Sequence, residues 1–331
     1  MYKANPDRYK EMTYRRLGDS GLVLPVLSFG MWYNFGQNND YDTAKEMIFK
    51  AFDHGITHFD LANNYGPPPG HAETVMGRIL KDGLMAYRDE IIISTKAGYR
   101  MWDGPYQDGG SRKYLISSLD QSLERLGLPY VDIFYHHRFD GDTNLKETMK
   151  ALADIVASGK ALYVGLSNYN SKQLKKAHRI LDALHVPYVI TQPSYSMLNR
   201  WLEKDNLLDT QNSLGGGVIC YSALQQGLLT NKYITGIPSD SRAKNPDALW
   251  FKERDITPKV VDKLKKLDEV AKKRGQSIAQ MSLVWTLRNE KMTSTLISTS
   301  KPKQLEENIQ ALENMTFTDD ELKTIDDILN S

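Results

Sequence analysis

Thr57-His58-Phe59-Asp60, Ile91-Ile92-Ile93-Ser94-Thr95-Lys96 and Val131-Asp132-Ile133-Phe134-Tyr135-His136-His137 are three short apolar, β-branched or aromatic runs, each ending on a residue that can exchange a proton. Tyr65 follows shortly after the first. Runs of this length and composition read as strands. Strands separated by helical segments, and delivered in succession to one rim, are the pattern of a β/α barrel, whose C-terminal rim is where chemistry is assembled. A lone Asp, Lys or His at a strand end is ordinarily a turn former or a solvated charge. Four ionisable or phenolic groups on one rim point to an enzyme.

The same alternation runs in both directions. Upstream, Thr13 to Arg16 and Leu22 to Pro25 form a hairpin across Gly18-Asp19-Ser20-Gly21, and Leu27 to Gly30 is the first strand of the series. Helical periodicity covers about Asp42 to His54, stopped by Gly55, then Ala72 to Lys81, and Ser111 to Gly127. Downstream come a helix from Leu145 to Ser158, a strand Ala161 to Leu166, the Lys172 helix and a strand Tyr188 to Thr191. The Trp201 helix, a strand Val218 to Tyr221 and a last strand Thr295 to Ser298 complete the set. Eight strands, each followed by a helical pattern, predict an α/β fold: a single (β/α)8 TIM barrel with an N-terminal β-hairpin and extra C-terminal helices. No linker or composition shift divides residues 1–331, which are expected to form one domain. Two connections are longer than turns require, Gly98 to Arg112 and Ala223 to Pro258, and both leave strand C-termini, where barrel loops enclose substrate. Tyr99, Trp102 and Tyr106 make the first a candidate pocket wall.

Forty-two basic side chains balance 41 acidic ones, so no net field gathers nucleic acid or an anionic membrane. The Lys-rich Lys259 to Arg274 segment alternates at helical spacing and reads as a solvated face. Cys220 is the only cysteine, which excludes an intrachain disulfide and sets a reducing, cytoplasmic location as the expectation. No apolar signal core or membrane-length apolar run is found, so no membrane segment is expected.

A tyrosine hydroxyl has an ordinary pKa of roughly 10, and a nearby ammonium lowers it. Lys96 can supply that charge, Asp60 can hold Lys96 protonated, and His137 can orient a carbonyl oxygen. The set is suited to protonating the oxygen of an aldehyde or ketone as hydride reaches its carbon. Protein groups carry no hydride, so a nicotinamide cofactor is implied. No G-x-G-x-x-G follows the first strand, and Gly215-Gly216-Gly217 reads as a helix-ending turn. The phosphate site is instead expected at Ser298-Thr299-Ser300-Lys301-Pro302, where the last strand runs into a helix.

The motifs FDLANNYG (59–66), IIISTKAG (91–98), YVDIFYHH (130–137), GLSNY (165–169), TQPSYSMLNR (191–200), YSALQQGLLTNKY (221–233) and KQLEENIQAL (303–312) resemble the aldo-keto reductase superfamily over nearly the whole chain. ANNYGPPPG and MWDGPY bring it nearest the branch that holds bacterial L-glyceraldehyde 3-phosphate reductases and potassium-channel β-subunits. The resemblance implies a catalytic tetrad of Asp60, Tyr65, Lys96 and His137, with Tyr65 the proton donor and His137 preferred over His136, which is expected to face the helices. It implies NADPH/NADP+ as cofactor. Trp32 then lies beside the nicotinamide, Ser167, Asn168 and Gln192 hold its carboxamide, and Tyr221 stacks on its ring. Ser222, Leu224, Gln226 and Lys232 line the pyrophosphate; Ser241 and Arg242, with Ser300, Lys301 and Gln304, surround the 2′-phosphate; Glu307 and Asn308 hold the adenine. The implied activity is NADPH-dependent reduction of small aldehydes or ketones, such as glyceraldehyde 3-phosphate or methylglyoxal, by an oxidoreductase acting on CH-OH groups.

Trp32, Tyr65, Trp102, His137 and Arg138 are the expected substrate contacts, Arg138 as the phosphate acceptor because it follows His137. Arg100, Arg112 and Lys113 lie near the same rim. No metal is expected, since Gly55 breaks the helical register between His54 and His58 and no H-x-H or C-x-x-C is present. Pro67-Pro68-Pro69 reads as a rigid spacer, and Met12, Met47, Met76, Met149 and Met281 as packing residues. Partners are expected to be a small carbonyl substrate and, compatibly with the chain, further copies of itself in a homo-oligomer. One alternative is a cofactor-bound regulatory subunit of a membrane channel with little turnover, although such relatives tend to lack the histidine matching His137. Another is an aldolase or isomerase using Lys96 as a Schiff-base nucleophile.

Overall fold

A computed structural model describes residues 2–239, 241–245 and 251–331; positions 240 and 246–250 of the second long connection lie outside the described residues. Eight parallel strands close into a barrel: β3 (Leu27–Gly30), β4 (His58–Asp60), β5 (Ile92–Ala97), β6 (Val131–His136), β7 (Ala161–Ser167), β8 (Tyr188–Gln192), β9 (Gly217–Cys220) and β10 (Met292–Ile297), with β10 pairing back to β3. These strands are buried on both faces, which is why they read as short apolar runs rather than strict alternation.

The hairpin β1 (Tyr14–Arg16) and β2 (Val23–Pro25) pairs antiparallel and closes the N-terminal end. Its Leu17 and Leu24 join Ile133, Tyr135, Ile190 and Ile219 in one buried cluster. Gly18, at φ +55°, lies so close to the Gly215 carbonyl that a Cβ would sit 2.2 Å from its oxygen.

Helices α1 (Tyr41–Asp53), α2 (His71–Asp82), α3 (Arg112–Leu126), α4 (Leu145–Ala157) and α5 (Ser171–Ala183) follow β3 to β7 in turn. Each begins beyond a strand C-terminus and packs its apolar stripe on the barrel. After β8 the expected single Trp201 helix is two pieces, α6 (Trp201–Lys204) and α7 (Leu207–Ser213). The break has a local cause: Asn206 takes a left-handed φ of +53°, and Asp205 turns aside to accept the Ser171 N–H at 2.6 Å and the Ser171 hydroxyl at 2.8 Å. Between β9 and β10 stand α8 (Pro258–Lys273) and an unexpected α9 (Ile278–Thr286). The chain ends in α10 (Pro302–Ile309) and α11 (Asp319–Asn330). The five methionines assigned to packing are all buried.

Period-two alternation sets what faces the barrel axis. His58 and Asp60 point inward from β4, Ser94 and Lys96 from β5, and Ile133 and Tyr135 from β6, whereas Thr95 points outward to Glu73 of α2. Asp60 lies opposite Ser94, and Lys96 opposite Tyr135.

Candidate active site

Lys96 is wholly buried, and its ammonium has three protons to place. The Nζ donates to Asp60 Oδ2 at 2.5 Å and to the Leu61 carbonyl at 2.6 Å, and it reaches Tyr65 Oη at 3.5 Å. Burial pulls the amine down from its ordinary range, and Asp60 opposes that pull. The second carboxylate oxygen of Asp60 accepts from Ser94 Oγ at 2.8 Å and Gln192 Nε2 at 3.1 Å. A carboxylate with both oxygens so engaged is held as an anion beside the amine.

Tyr65 departs from the sequence expectation in one respect. Burial, then the charge of Asp60, pushes its phenol well above the ordinary value, not below it. With the ammonium tied to Asp60, desolvation wins, and the resting phenol keeps its proton. His137 stands one residue beyond β6, anchored by its N–H on the Ala97 carbonyl at 2.9 Å. Its ring meets Tyr65 edge-on at 5.9 Å and Tyr99 at 4.6 Å between centroids. Burial, followed by the nearby Lys96, His136 and Arg138, holds it well below the usual imidazole range, so it is neutral. Its buried Nδ1 has no partner among the described residues. His136 turns away from the axis and bonds Tyr169 Oη through Nδ1 at 2.6 Å.

The residues expected around a nicotinamide form one connected group. Ser167 Oγ donates to the Gln192 carbonyl at 2.8 Å, Asn168 Nδ2 to Ser167 Oγ at 3.1 Å and to the His137 carbonyl at 3.0 Å, and Tyr221 Oη to Asn168 Oδ1 at 2.8 Å. The indole of Trp32 packs on Tyr65 at 4.9 Å.

In the second long connection Ser222 and Gln226 take positive φ, and Gln226 donates to Ser222 Oγ at 3.4 Å. Arg242 reaches across to Gln226 Oε1 at 2.7 Å and lies 4.6 Å over the Tyr33 ring, so this connection bridges to the loop after β3. Leu224 is half-buried, Lys232 is exposed, and the buried Ser241 Oγ has no partner among the described residues. Ser300, Lys301 and Gln304 stand at the start of α10, where Ser300 donates through its N–H and Oγ to Gln304 Oε1 at 3.1 and 3.0 Å, Pro302 occupies the first turn and the Lys301 side chain makes no cap bond, while Glu307 and Asn308 lie in the last turn of that helix. Asn34 donates to the Thr299 carbonyl at 2.9 Å and ties that group to the Trp32 loop.

On the substrate side, Trp102 leans on Tyr114 at 5.2 Å, and Arg138 is held by the Gly98 carbonyl and Asp108 Oδ2, both at 2.9 Å. Sequence reasoning missed Tyr33 as the partner of Arg242 and Ser94 as a ligand of Asp60. A tyrosine three residues past a strand, or a serine inside an apolar run, carries no signal until the register is known. Among the described residues no three His, Cys, Asp or Glu side chains come together as a metal-binding group.

Residues 26–330 match the model of the aldo/keto reductase family. The chain belongs to that family. Two proteins named L-glyceraldehyde 3-phosphate reductase, from Escherichia coli O157:H7 and strain K12, are each 54% identical over 331 residues, covering 98% of this chain and 95% of theirs. A "Probable voltage-gated potassium channel subunit beta" of Arabidopsis thaliana is 34% identical over 306 residues, 91% of this chain and 92% of that protein. This aldo/keto reductase is therefore an oxidoreductase, and its chemistry is carbonyl reduction on a (β/α)8 barrel. None of its described helices is long and apolar enough to cross a membrane.

Proposed function

We propose that this chain reduces small aldehydes and ketones with NADPH, and that Tyr65 is the proton donor. The observation that carries the reading is the contact of Lys96 Nζ with Tyr65 Oη at 3.5 Å while the same ammonium is anchored on Asp60. Tyr65 and the neutral His137 hold the carbonyl oxygen between them. As that oxygen gains negative charge the phenol proton moves to it, leaving a phenolate against Lys96. At that separation, with an effective dielectric near 20, the attraction is about 5 kcal/mol. It is realised only once the proton has left Tyr65, which is the condition for lowering a barrier rather than tightening binding.

Bound NADPH supplies the hydride for the carbonyl carbon. The chain's features fit such a group: a polar Ser167–Asn168–Gln192 cluster suited to a carboxamide, an aromatic Tyr221 beside it, and an α10 N-terminus with no side-chain cap. Lys301 and Arg242 are the cationic residues we assign to the 2′-phosphate, with Ser222, Leu224, Gln226 and Lys232 along the pyrophosphate and Glu307 and Asn308 at the adenine. Equal affinity for NADPH and NADH would count against this. The relatives' name directs the substrate assignment toward a phosphorylated aldehyde such as glyceraldehyde 3-phosphate, with Arg138 receiving the phosphate.

The experiment is Tyr65→Phe, assayed by NADPH oxidation across an aldehyde panel and by quenching of protein fluorescence. Loss of a positioned general acid lowers turnover by roughly 10²- to 10⁴-fold, and NADPH affinity stays unchanged. Retained turnover in the variant, or no steady-state oxidation by the unaltered protein, would sink the reading; the second outcome is what a cofactor-holding channel subunit predicts.

A further inference from the structure

Beneath the tetrad a line of buried polar side chains runs down the barrel interior. Ser294 Oγ lies 2.7 Å from Ser28 Oγ, which lies 3.0 Å from His58 Nδ1. His58 Nε2 lies 2.9 Å from Ser94 Oγ, and Ser94 Oγ is 2.8 Å from Asp60 Oδ1. All five residues are buried, and four of them (Ser28, His58, Ser94 and Ser294) are fully so.

The direction of every bond in this line follows from its last member. Asp60, ionised against Lys96, can only accept, so Ser94 spends its single proton on Oδ1. Ser94 must then accept from His58, which requires the proton on Nε2. His58 is neutral, because burial pushes it down to about 4 despite Asp60, so its Nδ1 is an acceptor. Ser28 donates to that nitrogen, and Ser294 in turn donates to Ser28. Four hydrogen bonds therefore point the same way, toward one carboxylate, and aligned bonds of this kind reinforce each other in a dry interior. Reversing any one of them would strand a proton against a proton.

We propose that His58 is a positioning residue for carbonyl reduction: as an Nε2–H imidazole it fixes the Ser94 hydroxyl on Asp60, and so holds the Asp60–Lys96 pair in the geometry that Tyr65 needs. His58 touches neither the Tyr65 oxygen nor the Lys96 amine; it acts through Ser94. The inference rests on the assignment of Tyr65, Lys96 and Asp60 to the reduction step.

The closing experiment pairs two amide substitutions with a direct view of the ring. Gln at position 58 can present an N–H near the Nε2 site, whereas Asn reaches only the Nδ1 site. His58→Gln is expected to keep kcat within about threefold, and His58→Asn, like Ser94→Ala, to lose about 10- to 100-fold, the cost of one hydrogen bond to a charged group. KM for aldehyde and affinity for NADPH stay level in all three. In ¹⁵N-labelled protein at pH 7, the His58 resonances, identified by their loss in the variants, are expected to show the neutral Nε2–H tautomer. An Nδ1–H or charged ring, or Gln and Asn variants with equal kcat, overturns the proposal. Failure of the underlying assignment is separate, since it appears as turnover surviving Tyr65→Phe.

Discussion

Arg138 and Asp108 meet at 2.9 Å on the edge of the loop after β5, and both side chains are more than a third exposed, at 38% and 40%. Such a pair contributes about 0–1 kcal/mol, so a phosphate carrying close to two charges can displace the carboxylate at small cost. The guanidinium is meanwhile kept in place by its Nε bond to the Gly98 carbonyl and by the Tyr99 ring 5.0 Å away. Two substitutions should therefore act in opposite directions. Arg138→Ala is expected to raise KM for glyceraldehyde 3-phosphate by about 10-fold or more, the scale of one charged hydrogen bond, and Asp108→Asn to lower it; neither should change KM for unphosphorylated glyceraldehyde. Steady-state kinetics on the two aldehydes check this, and parallel changes on both would remove Arg138 from the phosphate role. Arg138 stood out in the sequence because it follows His137, and Asp60, Lys96 and His137 because each ends an apolar run. Asp108 and Ser94 could not, since a loop aspartate and a serine within an apolar run gain meaning only from what the closed barrel sets against them.

The loop between β5 and α3 owes its course to Gly110. Gly110 donates its N–H to Asp140 Oδ2 at 2.8 Å and accepts from Thr148 Oγ1 at 2.9 Å. A Cβ there would meet Thr148 Oγ1 at 2.7 Å and His136 Nε2 at 3.0 Å. Gly110→Ala should lift the loop off β6 and α4, and with it Tyr99, whose ring packs on His137. The expected result is a rise of several-fold in aldehyde KM, with NADPH affinity little changed because most of the residues we propose for the cofactor lie at the ends of β7 to β10; crowding of this kind also costs roughly 1–3 kcal/mol of stability, readable in urea. If aldehyde KM is unmoved, the loop is not a wall of the pocket. At this scale the sequence was a good guide wherever an element's own residues decide it: the helix expected between Ser111 and Gly127 is α3, capped by those two residues. It failed where another element decides. The α6–α7 break depends on Asp205 reaching Ser171, and α9, from Ile278 to Thr286, is buried nearly all round and shows no amphipathic stripe.

Three histidines, His58, His136 and His137, are buried in this barrel, and burial lowers the pKa of each: His58 and His136 to about 4, His137 well below the usual 6.5. All three lie on β4 or at the end of β6, so the polar interior of the barrel brings a general stability property with it. Below about pH 6.5 the unfolded chain binds protons at these sites and the folded chain does not, so stability falls as pH falls, until the folded pKa is reached, near 4 for His58 and His136. Each ring that moves from 6.5 to about 4 contributes about 3 kcal/mol of stability at pH 7 that is gone by pH 4. Asp140, held at about 2 by its hydrogen bonds to Thr143, Asp142 and Gly110, has its effect in a separate window, losing stability only as pH drops below the ordinary carboxylate range. Urea unfolding from pH 7 to pH 4 should accordingly show a steep decline. His136→Asn isolates one share of it: an asparagine has no group that titrates there, whatever the variant's stability at pH 7. The loss between pH 7 and pH 4 should shrink by about 3 kcal/mol relative to the unaltered protein. An unchanged decline would mean that His136 takes up its proton over the same pH range in the folded barrel as in the unfolded chain, against its bond to Tyr169 and its place under the Gly110 turn.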